Sequence, residues 1–350
     1  MTDSLIKGRG SQFNHHNPFE KHELVTEHPE GLDEPLREGV KTSYFFESPK
    51  KIVSISNSPD LGLMHSLNPY QGCEHGCAYC YARNSHNYWG FSSGLDFESK
   101  IIVKKSAPQM LDHYLSKYQG EVVPILLSGN TDCYQPAERK FQLTRKLLHI
   151  FYQYRYPVSI ITKNSLVLRD LDILQQLASE KLVQVFISIT SLKESVRRKM
   201  EPRTASALKK LQVIEKLSRA SVPVAIMNAP VIPGLTDHEM PEILRRTSES
   251  GALTAGYALV RLNGTISHLF KDWIHKFFPR KADKVLNQIA ACHEGKLNDS
   301  QWHRRQTGAG NLADIIAQVF KTNKRKYFKD RLMPAHDKTK FRRGGNYQLF

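Results

Sequence analysis

The 350-residue sequence is poor in cysteine, with five, and three of those five fall within one eight-residue stretch. So small and lopsided a set excludes a disulfide framework and fits a reducing compartment. Long apolar runs are also missing. The longest, such as residues 122–127 and 183–189, suit buried strands and fall short of a bilayer span. No membrane partner is therefore expected. The opening Met1-Thr2-Asp3-Ser4 lacks the charged-then-apolar pattern of a signal peptide, so a cytoplasmic address is the expectation. Beyond a strand–helix alternation, no repeat with a period of about 20–50 residues is visible. Acidic side chains are in deficit, 34 Asp and Glu against 50 Lys and Arg, giving a formal charge of +16. That excess favours polyanionic partners such as DNA or RNA, which it would steer and whose counterions it would release.

The clustered cysteines are Cys73, Cys77 and Cys80, spaced C-x3-C-x2-C within Gly72-Cys73-Glu74-His75-Gly76-Cys77-Ala78-Tyr79-Cys80. Thiolates are soft ligands suited to iron–sulfur clusters, zinc and copper(I). Three on one loop can hold three corners of a [4Fe-4S] cube, whereas electron-transfer clusters of that type use four cysteines. One iron would then stay open for a substrate or cofactor. The alternative is a zinc site with His75 as fourth ligand, in a nucleic-acid-binding module without catalysis. Zinc ribbons and fingers, however, bring a second ligand pair from further along the chain, and none is visible here. His15 and His16 sit in a polar stretch with no matching ligands and read as solvated.

Four regions are expected: an extended arm over 1–50, an α/β core over 51–262, a helical extension over 263–320 and a basic tail over 321–350. The arm holds Gly8-Arg9-Gly10 and an acidic, proline-punctuated segment over 27–38. Strands are expected at 100–103, 121–128, 157–162, 182–190, 222–230 and 255–260. Helices are expected at 107–118, 136–154, 167–180, 205–220 and 238–250, after extended segments at 51–56 and 61–67. Continuous apolar strands between amphipathic helices indicate a parallel sheet, whose chemistry belongs at the carboxyl ends. Polar clusters do recur there: Ser128-Gly129-Asn130-Thr131-Asp132, Thr162-Lys163-Asn164, Ser188-Ile189-Thr190 and Glu201-Pro202-Arg203-Thr204. In the tail, basic residues interleave with Tyr327, Phe328 and Phe341, a mixture that can grip phosphates and stack on bases or simply be a solvated tail.

Tyr79 makes the loop C-x3-C-x-aromatic-C, which together with the alternating core resembles the radical S-adenosylmethionine (SAM) enzymes. Asn68-Pro69-Tyr70-Gln71-Gly72-Cys73, Asn130-Thr131-Asp132, Glu201-Pro202-Arg203-Thr204 and Ala229-Pro230-Val231-Ile232-Pro233-Gly234 are similar to an uncharacterised, DNA repair photolyase-like branch related to spore photoproduct lyase. The resemblance implies an α/β fold, a partial (β/α)6 TIM-like barrel with an N-terminal arm and a C-terminal helical extension. It implies a [4Fe-4S] cluster on Cys73, Cys77 and Cys80 and S-adenosylmethionine chelating the fourth iron. It further implies reductive cleavage to a 5′-deoxyadenosyl radical, fed by a donor such as flavodoxin or ferredoxin. The substrate would be damaged DNA or another nucleic acid, as in a repair lyase, with a peptide or metabolite as alternative. Tyr79 would lie beside adenine. Ser128, Asn130 and Thr131 would meet the methionine amino group, Lys163 its carboxylate, Ser188 the ribose and Ile232 the adenine face. Arg203 would meet the carboxylate or a substrate charge. Cys133, offset from the lyase's hydrogen-donor cysteine, or Tyr134 would return a hydrogen atom. Cys292 reads as structural.

Overall fold

In the computed structural model, residues 6, 8–17, 41–60 and 62–344 are described; the acidic segment at 27–38 lies outside them. The chain begins with β1 (Ser43–Phe46), β2 (Val53–Ser58), β3 (Gly62–Leu67) and β4 (Tyr70–Gln71), followed by the cysteine loop. Next come a 3-10 turn at Tyr81–Trp89, α1 (Leu95–Ser99), β5 (Lys100–Val103), α2 (Ala107–Ser116), β6 (Ile125–Leu127), α3 (Glu138–Phe141) and α4 (Leu143–Gln153). The alternation continues through β7 (Val158–Thr162), α5 (Leu171–Ser179), β8 (Val183–Ser188), α6 (Glu194–Met200), α7 (Ala207–Arg219), β9 (Val224–Val231), α8 (Met240–Glu249) and β10 (Ala255–Leu259). Three helices finish the chain: α9 (Ile266–Phe277), α10 (Ala282–Ala291) and α11 (Asn311–Phe328).

Seven strands form the main sheet in the order β10-β9-β8-β7-β6-β3-β2. All neighbours are parallel except β2 with β3. Six parallel strands with helices on the outside make the partial (β/α)6 barrel. Val158, Ile160, Val185, Ile187, Val224 and Ile226 are fully or almost fully buried beneath the helices. None of the helices among the described residues is long and apolar enough to cross a membrane.

Three expectations change. The strand at 100–103 joins β1 and β4 in a separate three-stranded sheet, while β3 supplies the barrel's first parallel strand. Periodicity identifies a strand but not its sheet. The single helix expected over 136–154 breaks at Gln142, whose φ of 52° is left-handed. There the Glu138 carboxylate turns inward to accept from the Thr144 amide at 3.1 Å, the Tyr70 hydroxyl and Arg169. The expected tail is neither loose nor a free grip. Its first residues extend α11 to Phe328, and residues 331–343 strap the amino-terminal ends of the strands. Gln184 donates to Pro334 O at 2.7 Å, Asp337 N to Lys181 O at 2.9 Å, and Arg331 to the Ser248 and Ala252 carbonyls. Phe341 packs on Tyr156 at 5.0 Å between ring centres.

The open edges of the half-barrel are tied together. Leu259 N, in β10, donates to Gln306 O at 2.8 Å, and Arg305 reaches across to Asp60 and Ser58 at the tip of the β2–β3 hairpin.

Candidate active site

Gly72 takes a φ of 78° just after β4 and turns the chain into the cysteine loop at the carboxyl end of the barrel. The Cys73 amide donates to Phe97 O at 2.8 Å and the Ala78 amide to Met200 O at 3.0 Å, so neighbouring segments fix both flanks. All five cysteines are free, and Cys133 and Cys292 lie apart from this loop in the main core. Burial raises the Cys73, Cys77 and Cys80 thiols above the ordinary range. Cys73 is raised further by Asp132 and then by Cys77 and Cys80, so the three sulfurs stand within electrostatic reach of one another. Thiols held protonated in this way become ligands when a metal displaces their protons. Three thiols on one loop, two of them buried and the third half-buried, fit a [4Fe-4S] cluster as donor set. They do not fit the zinc alternative. His75 has both ring nitrogens engaged, Nδ1 3.4 Å from Asp132 and Nε2 3.1 Å from the Asn164 amide nitrogen.

The loop is braced from outside by residues that sequence reading passed over. Arg83, fully buried, donates from Nε and Nη2 to Cys77 O at 3.1 and 2.9 Å and pairs with Glu98. Glu98 also accepts from the Gly10 and Ser11 amides at 3.0 and 2.7 Å, while Arg9 donates to its carbonyl. Gly10 lies so close to the loop that a Cβ there would stand 1.7 Å from Gly76 O. Arg9, Gly10 and Ser11, within the expected arm, thus pack against the loop and Glu98.

Inside, a charged network lies under the loop. Glu201 is fully buried and accepts from Lys163 at 3.2 Å, Lys210 at 3.1 Å, Thr190 at 2.7 Å and the Tyr79 hydroxyl. Burial alone would raise the Glu201 carboxyl, but Lys163 and Lys210 hold it far below the usual range, so it is ionised. Lys163 Nζ also donates to Ala229 O at 3.2 Å and stands 5.7 Å from the Tyr79 ring centre. Asp132 accepts from Thr162 Oγ1 and the Lys163 amide, both at 2.8 Å, and so ties two strand ends together.

The expected cofactor residues divide into two groups. Tyr79 and Ile232 share one apolar cluster with Cys77, and Lys163 faces Tyr79. Ser188 closes β8 beside Asn228, which donates to Ile189 O at 2.8 Å and leaves its buried Oδ1 without a partner. An acceptor left in this state suits a ligand hydroxyl. By contrast, Ser128, Asn130 and Thr131 are engaged within the protein. Ser128 Oγ accepts from Cys133 N at 2.7 Å, Asn130 Nδ2 donates to Ser85 Oγ at 3.0 Å, and Thr131 donates to Tyr70 O. Arg203, expected to meet the carboxylate or a substrate charge, lies on the arm side, donating to Gly8 O at 3.2 Å with Glu74 3.8 Å away. Cys133 and Tyr134 are wholly inaccessible in the main core, and the Tyr134 hydroxyl donates to Asp170 at 3.1 Å.

At the mouth, the half-exposed Tyr81 follows Cys80 and donates to Gly129 O at 2.6 Å. Arg261 follows β10, and Arg305 stacks on Trp302 at 4.0 Å. Arg261 has no ion pair or hydrogen bond among the described residues. Burial lowers its pKa first and Arg305 lowers it further, while Tyr81, Asp60 and Asp299 act the other way, so these groups stand within electrostatic reach of Arg261.

Comparison with known proteins agrees with this geometry. An uncharacterised protein of Mycobacterium tuberculosis is 30% identical over 227 residues, covering 64% of this chain and 67% of its own. Another, from Methanocaldococcus jannaschii, is 27% identical over 241 residues, covering 69% and 86%. Spore photoproduct lyase complexed with dinucleoside spore photoproduct matches with a TM-score of 0.61 at 14% identity, over 86% of this chain and 85% of that one. A lyase variant with bound AdoMet and dinucleoside spore photoproduct matches with a TM-score of 0.59 at 15% identity, over 81% and 79%. At such identities these structures share the fold. The sequence profile of the radical SAM superfamily matches residues 67–247. With the cysteine loop, the six parallel strands and that match in agreement, the chain belongs to the radical SAM superfamily and is a radical SAM enzyme.

Proposed function

We propose that this enzyme acts on a nucleic acid held across the barrel mouth, with the cluster on Cys73, Cys77 and Cys80. When bound, the cluster and S-adenosylmethionine supply reductive cleavage to a hydrogen-abstracting radical. The chain's own part is to position and to exclude water. Lys163 offers a cation to the cofactor carboxylate, held ready between Glu201 and Ala229 O. Ser188 and the unpartnered Asn228 Oδ1 would hold the ribose hydroxyls, and Ile232 would offer an apolar surface to adenine. Tyr79 acts through its hydroxyl on Glu201, keeping the loop over the network.

The observation that carries the substrate reading is Arg261, a half-buried cation without an ion pair at the last strand's exit, beside Arg305 stacked on exposed Trp302. Guanidinium groups pair with phosphates and indoles stack on bases. The likeness to a lyase complexed with a dinucleoside supports the same class. Deuterium-labelled thymine-dimer DNA and bulk tRNA, offered to anaerobically reconstituted enzyme with dithionite, are expected to transfer label into 5′-deoxyadenosine. Transfer from a peptide or metabolite pool instead, with none from either nucleic acid, overturns the substrate reading and leaves the cofactor chemistry standing.

A further inference from the structure

We propose that β1 is a self-association edge, on which two copies of this chain pair β1 with β1, antiparallel, across a two-fold axis. β1 stands at the end of the order β1-β5-β4, so one side of it meets β5 and the other meets no strand among the described residues. Glu47 N donates to Val103 O at 3.2 Å, beside the parallel pair Phe46–Val103. In a parallel ladder that bond turns the main-chain groups of Phe45 and Glu47 towards β5 and leaves those of Thr42, Tyr44 and Phe46 facing outward. Among the described residues nothing bonds to these outward groups.

The edge is apolar and open. Phe45 is 41% exposed and Phe46 55%, on opposite faces of the strand. Phe45 packs on Phe91 at 5.0 Å between ring centres and Phe46 on Phe141 at 5.9 Å, so both rings are held in place. Proteins blunt free edges with charge, proline or a bulge. Ser43–Phe46 contains no charge and no proline, and its register with β5 is unbroken. The neighbouring lysines lie on ring faces, Lys105 Nζ 3.5 Å from the Phe46 centre and Lys140 Nζ 5.2 Å from the Tyr44 centre.

The flanking charges select the occupant. The run reads Lys41-Thr42-Ser43-Tyr44-Phe45-Phe46-Glu47, with a cation at one end and an anion at the other. An antiparallel pair centred on Tyr44 sets Lys41 of each copy opposite Glu47 of the other. The same register sets Phe45 opposite Ser43 and Phe46 opposite Thr42, a large ring against a small hydroxyl side chain each time. It also joins the outward groups of Thr42, Tyr44 and Phe46 to one another as hydrogen-bonded pairs. A slip of two residues either way separates the opposite charges. The exposed Glu47 carboxylate has no hydrogen bond or ion pair among the described residues and is available to a second copy. Pairing one patch with itself closes at two copies.

None of the mouth residues Tyr81, Arg261 and Arg305 belongs to the small sheet, so the pairing uses no part of the proposed substrate site. The sheet does lead into the cysteine loop. β4 ends at Gln71, and Gly72-Cys73 follow directly, while Arg9 of the arm donates to Thr42 Oγ1 at 3.4 Å. Joining the sheets of two copies therefore braces in each the strand that enters the loop.

The test follows full-length holoenzyme by sedimentation velocity over a range of protein concentrations. Wild type is expected in reversible exchange between monomer and dimer. Lys41→Glu and Glu47→Lys each set like charges opposite one another at both ends of the pair and should lower the association constant about tenfold. The double variant Lys41→Glu/Glu47→Lys restores opposite charges and should recover the wild-type constant. Glu47→Lys should keep the wild-type melting temperature, since that carboxylate has no partner to lose. Mild oxidation reads the register. Tyr44→Cys faces itself across the axis and should give a covalent dimer, whereas Phe46→Cys faces Thr42 and should not. A wild type that stays monomeric at every concentration overturns the proposal and leaves the edge to a strand from another protein. Single variants that dimerise as wild type does, a double variant no better than the singles, or equal cross-linking at 44 and 46 also overturn it.

Discussion

At the scale of single residues, the site depends on atoms that carry no chemistry themselves. A methyl group on Gly10 cannot be accommodated beside Gly76 O, since both contacting atoms belong to backbone. Gly10→Ala is therefore expected to push the arm off the loop, releasing the Glu98 carboxylate from the Gly10 and Ser11 amides. The brown chromophore of the reconstituted protein should then bleach in air several-fold faster, while thermal unfolding of the barrel changes little. The Glu201 network makes a second prediction. Glu201→Gln leaves Lys163 and Lys210 buried without a counter-charge and should cost about 3–5 kcal/mol in denaturant unfolding. Lys210→Met leaves a neutral Lys163–Glu201 pair and should cost less than half as much; equal losses would show that the network is not held by charge. The sequence made part of this legible. Cysteine spacing marked the loop that gathers three thiols, and Lys163 and Ile232 stood out by their places at strand ends. Gly10, Arg83 and Glu98 did not, because their contacts join residues up to 89 apart and no local pattern encodes such a meeting. Ser128, Asn130 and Thr131 were visible as a polar cluster, yet polarity alone does not distinguish a residue that meets a ligand from one that ties loops together.

Among the elements, periodicity gave the alternation of strands and helices within a few residues, because buried parallel strands read as apolar runs and their helices as amphipathic ones. It could not assign the strand at 100–103 to the small sheet. It also could not see the break at Gln142, which follows from Glu138 folding inward to Thr144, Tyr70 and Arg169. Nor could it reveal the strap, whose aromatic and basic residues look solvated in isolation. His336 shows how the strap is held. Its Nε2 meets Ser159 Oγ at 3.0 Å near the start of β7, and burial depresses its pKa to about 4. The folded pKa lies below the ordinary histidine value of about 6.5, so the unfolded strap binds more protons in that interval and docking weakens as pH falls. Hydrogen exchange in residues 334–342 is expected to speed up from pH 6.5 towards pH 4 relative to the barrel strands, beyond its intrinsic pH dependence. His336→Gln should remove that excess. An unchanged profile would assign the strap's hold to Arg331, Asp337 and Phe341 alone.

For the whole molecule, the formal charge of +16 is informative only once the basic groups are placed. The strap, which looked like a nucleic-acid grip, lies at the amino-terminal ends of the strands, the pole opposite the cysteine loop. Its arginines are turned onto protein carbonyls, Arg331 onto Ser248 and Ala252, Arg343 onto Gly120. Near the loop, the mouth keeps Arg261, which has no ion pair among the described residues. If phosphates bind at the mouth, the charges that matter for affinity are few and local, and total charge is a poor guide. Each phosphate that the protein no longer neutralises lowers the slope of log affinity against log salt by about 0.9 on duplex DNA and about 0.7 on single strands. Arg261→Gln should therefore weaken binding to a short dimer-containing oligonucleotide and reduce that slope by about one, without lowering the melting temperature, since Arg261 has no ion pair to lose. Truncation after Phe328 removes far more positive charge, yet it should lower the melting temperature and leave the slope unchanged. The opposite pattern, a slope that falls with the truncation and not with Arg261→Gln, would move the nucleic acid to the strap and leave the mouth for a different substrate.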